Sequence, residues 1–253
     1  MKRKYFLVFL FGLNILLVSC STTHDRFTTA ARDGDAGTVS EFLKSKEVTV
    51  NRTTKKGQSA LMLASAQGHS EIVRQLLATP GIDVNYADDM GFTALIDAAM
   101  KGHSDIVKQL LAAGANVNET ASTGTTPLIA ASVNGHLEVI RLLLAAGAGT
   151  KINSEYNFNE NTALIFASVK GYADVVQRLL SVPGIDFNKS NKLGYTALML
   201  AAKNGYIEVV RLLLKTPGID VKKIDKDGKN AADLATSGGR SDIANLINGI
   251  SNQ

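Results

Sequence analysis

A leucine-anchored signature recurs along this chain at nearly constant spacing, and it restricts the possible folds more than any other feature. It reads Gly57-Gln58-Ser59-Ala60-Leu61, Gly91-Phe92-Thr93-Ala94-Leu95, Gly124-Thr125-Thr126-Pro127-Leu128, Glu160-Asn161-Thr162-Ala163-Leu164 and Gly194-Tyr195-Thr196-Ala197-Leu198. The leucines are 34, 33, 36 and 34 residues apart, and a degenerate copy from Gly228 to Ala232 follows 34 residues later. A period of this length marks stacked units, because a single unit cannot hide its apolar face and must bury it against the next.

Within each unit the residues predict a helix, a tight turn, a second helix and a glycine stop. Ser59 or Thr93 is placed to cap the first helix through its hydroxyl. That helix is short and alanine-rich (Ala98-Ala99, Ala130-Ala131, Ala201-Ala202), which allows close approach between neighbours. Seven residues past each leucine stands Gly68-His69, Gly102-His103, Gly135-His136, Gly171-Tyr172 or Gly205-Tyr206, a natural helix end. The second helix carries leucines on one face, as in Val209-Val210-Arg211-Leu212-Leu213-Leu214. Each unit then closes on Pro-Gly or Ala-Gly-Ala before Asn85, Asn118, Asn153 or Asn188.

This pattern resembles the ankyrin repeat, and the resemblance covers 26–250. It implies an all-α ankyrin-repeat solenoid of stacked helix–turn–helix units joined by hairpin loops, with five full repeats and degenerate terminal caps. The N-terminal cap spans Phe27 to Phe42, and the C-terminal cap, Ala231 to Ile250, reads as having a weakened second helix. One departure is consistent: Met62, Ile96, Ile129, Ile165 and Met199 stand where the family has histidine in Thr-Pro-Leu-His, so an apolar contact should replace a side-chain hydrogen bond.

The N-terminus reads differently. Lys2, Arg3 and Lys4 precede the apolar run Phe6 to Val18, too short for a comfortable membrane span. Leu17-Val18-Ser19-Cys20 resembles a bacterial lipobox and contains the chain's single cysteine. That resemblance implies that 1–19 is a removed signal peptide, that Cys20 is acylated, and that 20–25 tethers the repeats to a membrane. Ser21 implies, by the sorting rule of many Gram-negative lipoproteins, an outer-membrane location in the bacterial cell envelope. The alternative is an uncleaved N-terminal anchor, with Cys20 a chance thiol.

Charge follows from this division. The whole chain has a formal net charge of +4 and a pI near 9.1, but loss of the three N-terminal bases leaves +1. The remaining bases are scattered, so nucleic acid is not expected as a partner. A mature domain without thiols has no route to disulfides or thiolate metal sites.

No catalytic constellation is legible. His69, His103 and His136 fall in one repeat slot that tyrosine occupies at Tyr172 and Tyr206, which favours packing over metal ligation; His24 lies in the tether. Asp83, Asp186 and Asp220 recur in Gly-Ile-Asp turns and read as turn formers. There is no Gly-x-Ser-x-Gly elbow and no phosphate-binding glycine loop. Neither enzyme activity, a cofactor nor a metal is expected, and the chain should be a monomer.

What remains is surface. The resemblance implies docking of a protein partner on the concave side, built from hairpin tips and first helices. At the tips the sequence places Met90 and Phe92, Leu193 and Tyr195, and, in a stretch with three extra residues, Tyr156 and Phe158. These six are the candidate partner-binding residues, since exposed aromatics are enriched at interface hot spots. The competing reading is that tip aromatics pack on the neighbouring hairpin. Met100, Val133, Val169 and Lys203 share one offset on the helix face. The expected role is a membrane-anchored interaction module. Alternatives are an immunity or inhibitor protein that occludes a toxin or enzyme, and an accessory factor for an envelope enzyme.

Overall fold

A computed structural model describes residues 23, 25–45, 48–156 and 158–251. Residues 1–19, expected from the sequence to be a signal peptide, Cys20 and His24 lie outside the described residues. Among the described residues seven helix pairs follow one another. They are α1 (25–33) with α2 (Ala36–Ser45), α3 (Ala60–Gln67) with α4 (Ser70–Leu77), α5 (Ala94–Lys101) with α6 (Ser104–Ala112), and α7 (Pro127–Asn134) with α8 (Leu137–Ala145). After a 3-10 turn (Ala148–Lys151) come α9 (Ala163–Lys170) with α10 (Ala173–Leu180), α11 (Ala197–Asn204) with α12 (Ile207–Leu214), and α13 (Ala231–Ser237) with α14 (Ser241–Ser251). Beta pairing among the described residues is confined to isolated antiparallel bridges across hairpin tips, such as Ala87 with Thr93 and Ser190 with Thr196. None of the described helices is long and apolar enough to cross a membrane.

The first helix of each full repeat starts the same way. The hydroxyls of Ser59, Thr93, Thr126, Thr162 and Thr196 accept from the backbone amides of Met62, Ile96, Ile129, Ile165 and Met199. Each such cap is worth about 1 kcal/mol. Those five residues are buried to within 1% of completely, so their side chains pack in the apolar core; at Met199 a side-chain hydrogen bond persists, its Sδ accepting from Thr196 N at 3.4 Å. Alanines 98, 99, 131, 201 and 202 are equally enclosed, and first helix packs on first helix along the array. Second helices add Val73, Leu76, Val107, Leu110, Ile140, Leu143, Val176, Leu179, Val210 and Leu213, all at 0% exposure.

Two polar ladders join the units. In one, each Gly-His turn receives a ring from the next unit. His69, His103 and His136 place Nε2 at 2.9, 3.3 and 3.0 Å from the carbonyls of Arg32, Ala66 and Met100, satisfying oxygens near a helix end that lack helical partners. A methyl added at Gly102 would stand 2.6 Å from the His136 ring; Tyr172, Tyr206 and Arg240 fill the same slot beneath Gly135, Gly171 and Gly205. The repeated histidine is therefore a joint between repeats. In the second ladder, Asn51, Asn85, Asn153 and Asn188 each donate to a glycine carbonyl of the next loop and accept from a backbone amide two residues beyond it. Asp83, Asp186 and Asp220 accept from the amides of Asn85, Asn188 and Lys222, the turn-forming role their spacing suggested.

The ends differ from expectation. The terminal units are full helix pairs, and α14, read as weakened, runs for 11 residues. Ile243, Ala244 and Ile247 give it a buried stripe without the leucine pair that marks the second helices of the five full repeats. At the other end Phe27 meets Phe42 edge to face, ring centres 6.0 Å apart.

Candidate protein-binding face

Hairpin tips and first helices form one side of the stack. The backbone of the tips is held by the residue that opens each one. Asp88 accepts from the amides of Met90 and Phe92, Asn191 from those of Leu193 and Tyr195, and Asp225 from those of Asp227 and Lys229. Ala121 and Tyr156 hold that place in repeats three and four, and neither has a side-chain acceptor suited to it. Neighbouring tips are also tied directly: Ser122 N donates to Met90 O at 2.9 Å, Lys192 N to Asn159 O at 3.0 Å and Lys226 N to Leu193 O at 3.2 Å.

The six candidate residues fall into three situations. Met90 and Leu193 are about half exposed and Phe158 is 88% exposed, so these three point outward. Phe92 and Tyr156 are half-buried and come together on the walls of one hollow. Tyr195 lies apart from them, half-buried under the Lys203 ammonium at 5.3 Å from its ring centre. Tyr156 also packs edge to face on Phe166, ring centres 5.4 Å apart, so it is partly a packing residue, as the competing reading had it.

The hollow has a volume of about 470 Å³ and is half-open. Its apolar walls are Phe92 and Met100 from repeat two, Ile129 and Val133 from repeat three, and Tyr156 and Phe166 from repeat four. Its origin lies in side-chain size at equivalent positions. Repeat three places Thr125 where repeats two and five have Phe92 and Tyr195 at the tip, and Ala130 where repeats one, four and five have Leu63, Phe166 and Leu200. The larger residues on either side therefore stand above a low floor. Of the residues at one helix offset, Met100 and Val133 line the hollow, Val169 is half-buried, and Lys203 is exposed.

Three features went unmarked in the sequence reading. Phe166 and Lys101 join the walls, and alignment of the repeats by offset would have found both. Asp97 occupies the otherwise apolar column of Leu63, Ala130, Phe166 and Leu200. Desolvation, reinforced by the Asp88 charge, raises its carboxyl from the usual range to about 7, with Lys101 opposing. Among the described residues no group of three or more His, Cys, Asp or Glu side chains is placed to hold a metal ion.

Comparison with known proteins agrees with this geometry. The family model described as "Ankyrin repeats (3 copies)" matches residues 27–121, 105–191 and 175–252. The human ASB11 ankyrin repeat domain superimposes with a TM-score of 0.76 at 28% identity, covering 87% of this chain and 96% of that one. Among curated protein sequences no relative matches.

Proposed function

The chain belongs to the ankyrin-repeat family, and on that premise we propose that it is a lipid-anchored module of the bacterial cell envelope that binds a protein partner. Ankyrin arrays generally mediate protein–protein interaction and typically act as scaffolds without chemistry of their own. The binding surface is the face of hairpin tips and first helices. The observation that carries this reading is the concentration of unpartnered apolar surface there: Met90, Phe158 and Leu193 project outward beside a hollow lined by Phe92 and Tyr156. Elsewhere the repeats close their polar groups on one another, whereas apolar side chains left in water at a rigid surface favour association.

Affinity capture from native envelope extracts tests it. Replacing Phe92, Phe158 and Tyr195 with alanine should reduce capture strongly while helical circular dichroism and melting stay nearly unchanged. Persistent capture with a lowered melting point would make the three residues packing elements and remove this face from consideration. The anchor is tested separately. Cys20→Ser should release the protein from the membrane fraction, and unchanged attachment would transfer that role to the apolar run itself.

A further inference from the structure

We propose that the hollow between repeats two and four seats a bulky apolar side chain of an acidic partner segment, which runs from there toward α11. This rests on the assignment of the tip-and-helix face as the binding surface and specifies its ligand. The hollow falls within the range of small-ligand sites, and its walls are mainly aromatic and aliphatic. Because it is half-open, an occupant enters as one side chain of something that continues along the face.

Charge sets the rest of the partner's chemistry. Lys101 stands in the wall of the hollow. Lys170 holds the same position at the end of α9, two repeats on, and Lys203 lies one residue short of it on α11. All three are exposed, and among the described residues none is in an ion pair. Neighbouring first helices lie about 10 Å apart, so Lys101 to Lys203 spans roughly 30 Å, the reach of about nine extended residues. A basic rim beside an apolar seat selects carboxylates next to an anchoring side chain and repels lysine-rich segments.

The acids nearby do not cancel the rim. Glu155 is held by Lys189 at 2.8 Å, and Asp88 is occupied by the amides of its own hairpin. Asp97, one turn before Lys101, interacts with that lysine, and its burial disfavours the charged form; Asp105, which opens the following helix, is paired with Lys108. Glu160 stands in the tip of repeat four, at the opposite end of the first helix from the lysines.

The experiment is a selection of random displayed peptides, each of about 16 residues to exceed the nine-residue reach, against the whole immobilised protein. Enriched peptides should combine a Phe, Leu, Ile or Trp with neighbouring Asp or Glu. Synthetic copies should bind about tenfold more weakly to a Lys101→Glu, Lys170→Glu, Lys203→Glu variant, and less tightly as salt rises. Ala130→Leu, which copies Leu200 and raises the floor of the hollow, should weaken them comparably; melting of each variant verifies its fold. Enriched peptides without acidic bias that still lose affinity on Phe92→Ala would overturn the proposal and leave the binding face intact. Peptides indifferent to every substitution on this face, or no enrichment at all, would overturn both.

Discussion

The junction between repeats three and four differs from the junctions on either side of it. At regular junctions the loop asparagine makes two good contacts: Asn153 donates to Gly184 O and accepts from Asp186 N, both at 2.8 Å. At the irregular one, Asn118 donates to Gly147 O at 3.5 Å and to the Thr150 hydroxyl at 3.0 Å, and its own carbonyl oxygen is buried without a partner. The chain explains the contrast. Gly147 to Tyr156 spans nine positions where Gly114 to Ala121 and Gly184 to Asn191 span seven, and the extra length forms the 3-10 turn. The following hairpin is one residue longer as well, closing Tyr156 N on Asn161 O where others close four residues on. The hollow and Phe158, the most exposed aromatic among the described residues, lie at this same place. Regular spacing builds stability through repeated closed contacts, and the break in spacing exchanges part of that for surface.

The strongest test attacks a regular joint. Gly102→Ala adds a methyl 2.6 Å from the His136 ring at a φ of +79°, and should lower stability by about 3 kcal/mol in urea denaturation. A change below about 1 kcal/mol would mean that the histidine joint yields easily and is no rigid link.

Next comes the border of the hollow. The folded pKa of Asp97 lies above its unfolded value, so folding penalises the ionised form. Stability therefore declines as pH rises from about 4 to about 7 and is level above that. At about 1.4 kcal/mol per pKa unit the shift sets a ceiling of about 4 kcal/mol, and solvent screening of this partly exposed carboxyl halves it. Asp97→Asn should therefore remove the decline, with a gain of about 2 kcal/mol at pH 8 and none at pH 4. Equal effects at both pH values would assign the gain to something other than ionisation.

The asparagines give the direct contrast. Asn153→Ala should destabilise by about 1.5 kcal/mol and Asn118→Ala by about 0.5 kcal/mol, because the second removes a half-satisfied group. Equal losses by thermal melting would erase the distinction between the junctions. The smallest effect concerns the tip. Glu160, at φ 56°, is the non-glycine residue with positive φ among those described, and it stands where the other tips have glycine. Glu160→Gly should stabilise by about 0.5 kcal/mol, since relief of strain is partly offset by backbone entropy.

Most of the fold was legible because each repeat restates it. Five copies of Ser/Thr-Ala/Pro-Leu fixed where first helices begin, and five Gly-His or Gly-Tyr pairs fixed where they end. The C-terminal helix was misjudged because leucine pairs served as the marker, while Ile243 and Ile247 supply the same buried face. At the site, exposure of Met90, Phe158 and Leu193 could be read from their place beside the turn. The association of Phe92 with Tyr156 could not, since a gap left by small residues in the intervening repeat brings them to one hollow.

By itself, the sequence determined the period, the helix caps, the helix stops and the alternation of small and large apolar residues that forces stacking, because these are local preferences multiplied by repetition. Only the tertiary structure decided which repeats lie across the hollow, that Asp97 is desolvated beside Asp88, and that Asn118 is left half-satisfied. Those depend on side chains from separate helices, hairpins and repeats meeting at distances set by packing, where a difference of one methylene or one inserted residue changes the contact.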